Sequence, residues 1–196
     1  MTETVLAKVV RAPGILARRA ERNAGAAVYR RYFDRAHSHS AIDQSAVRAS
    51  LAGADHITFL CMGNICRSPF AEEYARAKLP GSLEVTSAGL SPFQGIGSPP
   101  TAIEAASEYG VDLSTNESIR ATDALMIETD LVFVMDHANY YLVRTRHPQA
   151  IDRVAYLGAM FDHREVTIED PHGAPFEQFE RTYATIAAAI DRLDAH

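Results

Sequence analysis

From residue 56 onward, short apolar runs alternate with helical patterns, and this predicts an α/β fold with a parallel sheet covered on both faces. Three observations carry the prediction. Candidate strands fall at 56–60, 83–87, 131–135 and 153–157. Helical patterns fall between and after them at 69–78, 100–109, 138–145 and 176–193. The loop after the first strand, Cys61-Met62-Gly63-Asn64-Ile65-Cys66-Arg67-Ser68-Pro69, lies at a carboxyl end, where open α/β sheets bind ligands.

The elements follow in chain order. His56-Ile57-Thr58-Phe59-Leu60 is an apolar run too short for a helix. The segment it feeds opens with Pro69, which suits the first helical position because no amide donor is lost there. No internal repeat or low-complexity stretch interrupts this order. Residues 1–54 read differently, as a basic helical extension ahead of a catalytic body at 55–196. Within 26–36, Val28, Tyr29, Tyr32, Phe33 and Ala36 share one helical face, with Arg30, Arg31 and Arg35 opposite. Such a segment either docks on the body or serves as an arm that binds a membrane surface or a partner.

Charge supports that boundary. Residues 1–50 hold nine basic and four acidic side chains, whereas 51–196 hold ten and twenty-one. An acidic body makes nucleic acid an unsuitable partner, so any anion site must be local. No apolar run approaches the ~20 residues of a membrane span, and no secretory pattern is visible at the start. The two cysteines, Cys61 and Cys66, share one loop, which is no disulfide framework and suits a reducing cytoplasm. With no further cysteine and no ligand spacing among the histidines, neither a metal nor any other cofactor is expected.

The loop combines a nucleophile with an anion cradle. A strand-to-helix turn between Cys61 and Arg67 can wrap its backbone N–H groups around one tetrahedral oxyanion, with Gly63 allowing close approach. The helix N-terminus adds partial positive charge, and Arg67 offers a planar fork matched to two phosphate oxygens. The same surroundings favour the thiolate of Cys61 over the thiol.

The order of parts resembles the low-molecular-weight protein tyrosine phosphatase family. The resemblance runs over about residues 56–194. It rests on the Cys61–Pro69 loop, Thr86-Ser87-Ala88-Gly89, Gly110-Val111-Asp112-Leu113-Ser114, Asp130-Leu131-Val132-Phe133-Val134-Met135-Asp136 and Asp170-Pro171. It implies a three-layer fold with a four-stranded parallel sheet, and a protein-tyrosine phosphatase working through a phosphocysteine intermediate. Cys61 is then the nucleophile, Arg67 the phosphate clamp and Asp170 the general acid and base, with Glu169 as the backup acid. Met62, Gly63, Asn64, Ile65, Cys66 and Ser68 line the phosphate site. Ser68 assists the departing sulfur, and Asn64 and Ser87 brace the loop.

The chain departs from the family at two places. Asn116 stands where relatives often carry His, so any help it gives Ser68 is uncharged. His172 follows Asp-Pro where relatives commonly put an aromatic ring, which weakens one wall of the substrate cleft. Phe93 either supplies the opposite wall by stacking or is a loop residue tucked on the body. Cys66 is either a redox partner for Cys61, protecting it through a reversible disulfide, or a small packed residue. The segment Ser87-Ala88-Gly89-Leu90 and the loop after it look closest to bacterial members acting on tyrosine autokinases of capsule and exopolysaccharide synthesis. The implied partners are phosphotyrosine-bearing proteins, such an autokinase among them, and the expected state is a cytoplasmic monomer or weak dimer.

Three other functions share parts of this pattern. A protein arginine phosphatase has the same loop, but tends to place Thr where this chain has Ile65. A thioredoxin-coupled arsenate reductase needs cysteines beyond Cys66, which the chain lacks. A non-catalytic phosphate-binding scaffold has no chemical need for Cys61, Arg67 and Asp170 together.

Overall fold

The computed structural model describes residues 41–161 and 166–194, so the helical pattern at 26–36 lies outside the described residues. Four strands form one sheet: β1 (His56–Cys61), β2 (Glu84–Gly89), β3 (Leu131–Val134) and β4 (Val154–Tyr156). Their order is β2-β1-β3-β4 and every pairing is parallel. β1 is central, and all six of its residues are buried. That explains why it reads as a continuous apolar run instead of an alternating one.

Among the described residues six α-helices surround the sheet: α1 (Gln44–Ala52), α2 (Arg67–Lys78), α3 (Pro100–Ser107), α4 (Asp123–Glu128), α5 (His137–Arg146) and α6 (Phe176–Asp194). Alternate strand residues divide between two apolar layers. Ile57, Phe59, Phe133 and Ala155 pack with α2, α3 and α6, through Phe70, Ala102, Tyr183 and Ile186. Leu60, Val132, Val134 and Tyr156 pack on the other side with Met126 of α4 and Tyr140 and Val143 of α5. The Phe59 and Phe133 rings stack at 5.3 Å between adjacent strands.

The structure adds two helices to those expected. α1 follows Asp43, whose carboxylate accepts the Ala46 N–H at 2.8 Å, and its Val47 is buried in the layer under α2 and α6. α4 is capped by Thr122, which accepts from Leu125 N at 3.2 Å. Both are short, and composition alone made neither stand out from a loop. The first helix after β1 begins at Arg67, two residues before the proline expected to open it. Pro69 is tolerated as the third helical residue because the first four amides of a helix have no internal acceptor.

After β4 the chain makes a single-turn 3₁₀ segment, Leu157–Met160, and the next described stretch, 166–170, runs back across the carboxyl end of β3. Ile168 donates to the Met135 carbonyl at 2.7 Å. This crossing depends on Gly158, because a Cβ there would run into the carbonyl of Val166. We predict that Gly158→Ala lowers stability by about 1–3 kcal/mol in urea denaturation. An unchanged midpoint would mean that 166–170 does not need this close approach.

Candidate active site

Cys61 is the last residue of β1 and Arg67 the first of α2, so the strand end and helix start fix both ends of the loop. Donors from outside hold four loop carbonyls. Leu90 N donates to the Cys61 carbonyl at 3.0 Å and Ser91 N to that of Met62 at 2.7 Å. Asn116 Nδ2 donates to the Asn64 carbonyl at 3.2 Å, and the Tyr183 hydroxyl to that of Cys66 at 3.3 Å. In a trans peptide the next N–H points opposite to the carbonyl. The amides of Met62, Gly63, Ile65 and Arg67 are thereby turned away from these outside donors, toward the inside of the loop. The Asn64 N–H donates to Cys61 Sγ, at the floor of the loop, at 3.2 Å.

Asn64 lies in the left-handed region, at φ 53°, which Asn accepts more readily than most residues. A close approach within the protein falls on Gly89 at the end of β2. A Cβ on Gly89 would lie 3.1 Å from the Gly63 carbonyl carbon and 3.2 Å from Asn64 Cβ. On Gly63 itself it would meet only the Ile65 side chain.

Behind the loop runs a line of buried hydrogen bonds. Ser68 Oγ lies 3.1 Å from Cys61 Sγ. Asn64 Nδ2 donates to Ser68 Oγ at 3.0 Å and to Ser87 Oγ at 2.7 Å, while its Oδ1 accepts from Ile119 N at 2.9 Å. The Ser87 hydroxyl donates onward to Glu72 Oε2 at 2.5 Å. Burial raises the pKa of Glu72, opposed by that hydroxyl and by Arg76, with which it pairs one turn along α2.

Arg67 is 1% exposed, and each part of its fork is in a different situation. Nη1 donates to Asp136 Oδ2 at 2.7 Å and to the Ile168 carbonyl at 3.0 Å. Nη2 pairs with Asp170 Oδ2 at 2.8 Å. Nε is buried with no hydrogen-bond partner among the described residues, a deficiency that an anion would remove. Burial works against the guanidinium charge, but Asp170, Asp136 and Cys61 more than offset it and hold its pKa above the ordinary value. Asp136 also fixes the start of α5, since its Oδ1 accepts from Asn139 N at 2.7 Å and so caps that helix.

The remaining expected residues divide clearly. Asp170, not Glu169, faces Arg67; the Glu169 carboxylate instead holds Gln178 at 3.0 Å. Asn116 supports the loop through the Asn64 carbonyl and Ser98 Oγ, and makes no bond to Ser68. Phe93 is 47% exposed and His172 is exposed, so neither is packed into the body. Cys66 is a buried free thiol, as is Cys61. Burial, followed by the charges of Cys61 and Asp170, pushes the Cys66 thiol well up. Sequence reasoning assigned no role to Asp136, Glu72, Tyr183 or the Ile168 carbonyl. For Asp136 a signal existed, since an acid directly before a helical pattern reads as a cap. No helix among the described residues is long and apolar enough to cross a membrane.

A thiol at the floor of an amide-lined loop, a buried guanidinium and a facing carboxylate on this sheet define a cysteine-dependent phosphatase. Residues 56–196 match the family described as low molecular weight phosphotyrosine protein phosphatase, and the chain belongs to that family. A curated relative from Ralstonia nicotianae, the probable low molecular weight protein-tyrosine-phosphatase EpsP, is 35% identical over 69% of this chain and 90% of its own length. The solved tyrosine phosphatase AmsI of Erwinia amylovora superposes with a TM-score of 0.67 at 28% identity, over 71% of this chain and 91% of that one. The YwlE arginine phosphatase of Geobacillus stearothermophilus gives 0.66 at 27% identity, over 71% and 90%.

Removing the Asp136 carboxylate leaves one guanidinium nitrogen of a buried Arg67 without its shortest acceptor. We predict that Asp136→Ala lowers stability by about 3 kcal/mol in urea denaturation and weakens competitive inhibition by inorganic phosphate. Unchanged inhibition would show that Asp136 does not hold the clamp in place.

Proposed function

We propose that this protein hydrolyses phosphotyrosine in protein substrates through a phosphocysteine intermediate. The observation that carries the reading is the Arg67 fork, buried above Cys61 with Nε unpartnered and Nη2 held by Asp170 alone. Two donors on one edge match two oxygens of a phosphoryl group. In the first step the Cys61 thiolate attacks phosphorus in line, the S–P bond forms and the P–O bond to the tyrosyl oxygen breaks. Asp170, 46% exposed and free to leave Arg67 as the anion enters, delivers the proton that oxygen needs. Arg67 and the inward amides hold the three equatorial oxygens throughout.

In the second step Asp170 takes a proton from water, which attacks phosphorus and expels the Cys61 thiolate. The Ser68 hydroxyl, 3.1 Å from Sγ, stabilises the departing sulfur. Ser68 cannot be turned away easily, because its oxygen already accepts from Asn64. The exposed Phe93 and His172 are the candidate walls for the aryl ring. Similarity to EpsP supports a tyrosine-phosphorylated protein as substrate. The proposal of a tyrosine autokinase among such substrates rests on the segment Ser87-Ala88-Gly89-Leu90 alone, and residues 1–54 are read as an extension separate from the catalytic chemistry.

The YwlE likeness sustains a second reading, hydrolysis of phosphoarginine, against which Ile65 stands. Both are tested by steady-state kinetics on matched phosphotyrosine and phosphoarginine peptides. We expect kcat/KM to favour phosphotyrosine at least about tenfold. We expect no turnover from Cys61→Ser, and a kcat about 10²–10⁴ lower for Asp170→Ala. Preference for phosphoarginine would reverse the substrate assignment, and turnover surviving Cys61→Ser would remove the covalent mechanism.

A further inference from the structure

The hydrogen order behind the loop can be worked out from its fixed ends. Ile119 N–H donates to Asn64 Oδ1, so the Asn64 amide cannot flip, and its NH₂ must face Ser68 and Ser87. Both amide hydrogens are then used, one on each serine. Each serine oxygen accepts, and each serine hydrogen must go elsewhere. For Ser68 the acceptor is Cys61 Sγ; for Ser87 it is Glu72 Oε2. Ser87 is 2% exposed, so without Glu72 its hydrogen would lack an acceptor and the hydroxyl would rotate to find one. Rotation withdraws the lone pair that Asn64 uses, and Asn64 is the group that directs Ser68.

We propose that Glu72 is a positioning residue for Cys61, acting through Ser87, Asn64 and Ser68 to keep the Ser68 hydroxyl directed at the sulfur. Its own position is set from α2 and β2 together. Arg76 pairs with Glu72 and with Glu73 at 2.7 Å, and its Nε and Nη2 both donate to the Val85 carbonyl, at 3.1 and 2.9 Å. The helix is thus fastened to the strand that carries Ser87. Asp112 and Glu117 line the open cleft beside Glu72, together with Asn64, Ser87 and Asn116, so among the described residues no cation lining that cleft replaces Arg76. Across the loop Asn116 holds the Asn64 carbonyl. Asn64 is therefore braced at its backbone by one side chain and at its amide by the Glu72–Ser87 pair.

The proposal rests on Cys61 as the nucleophile, and its test needs no substrate. The rate of Cys61 alkylation by iodoacetamide, a neutral reagent that reports the thiolate, is measured near pH 6 without phosphate, with the modified residue located by mass spectrometry. We expect Glu72→Ala and Ser87→Ala each to slow alkylation about three- to fivefold, and the double variant to be no slower than either. Glu72→Gln keeps the volume and an oxygen acceptor, and should stay within about twofold of the parent. Coulomb's law alone gives the opposite sign, since removing a negative charge near a thiolate favours it. Faster alkylation in Glu72→Ala, an unchanged rate in Ser87→Ala, or additive losses in the double variant would overturn the proposal. Should Glu72→Ala fail to fold, Ser87→Ala still decides it. A Cys61 unreactive in the parent protein would count against the nucleophile itself.

Discussion

The structure depends on a charge placed where charge is costly. Arg67 is among the largest fully buried side chains, in company with Phe59, Phe70 and Phe133. A guanidinium is tolerated there only if its hydrogens find acceptors and its charge finds counter-charge. Asp136 from the end of β3, the Ile168 carbonyl from the returning chain and Asp170 supply both. Three segments far apart in sequence thereby converge on one side chain. The ordering of 166–170, the start of α5 and the first turn of α2 are consequences of that convergence.

The same arrangement explains why the loop stays empty of its own backbone oxygens. Carbonyls of Cys61, Met62, Asn64 and Cys66 are drawn outward by Leu90, Ser91, Asn116 and Tyr183, which come from separate parts of the chain. The donors left inside, with the positive end of α2, form a surface of one polarity. Tyr183 links this surface to the core: its ring stacks on Phe70 at 4.0 Å while its hydroxyl holds the loop. Packing of α6 on α2 and the geometry of the anion site are therefore one problem.

Local residues announced much of this and tertiary contacts hid the rest. β1 and the loop were legible because an apolar run, a Cys-to-Arg spacing and a helix start sit side by side. Asp170 was legible by its order in the chain, but only contact with Arg67 separates it from Glu169. Asp136 reads as a cap, and its second oxygen on Arg67 cannot be seen in sequence because 69 residues separate the two. Glu72 reads as one more acid on a helix surface, in a chain with 25 acids. Its bond to Ser87 exists only once β2 lies beside β1 in parallel register, Phe59 opposite Ser87.

The claim on which the account turns is that Arg67 and the inward amides form a preorganised cradle over Cys61 for a phosphoryl group. A crystal structure of the protein with vanadate tests it most directly. The account predicts a short bond from Cys61 Sγ to vanadium, with Arg67 Nε and Nη2 donating to two equatorial oxygens. It also predicts that the Asp170 carboxylate has left Nη2 and lies on the apical oxygen, while Asp136 stays on Nη1. Vanadate bound outside the loop, or bound within it while Arg67 remains paired with Asp170 and Nε stays without a partner, would contradict the account.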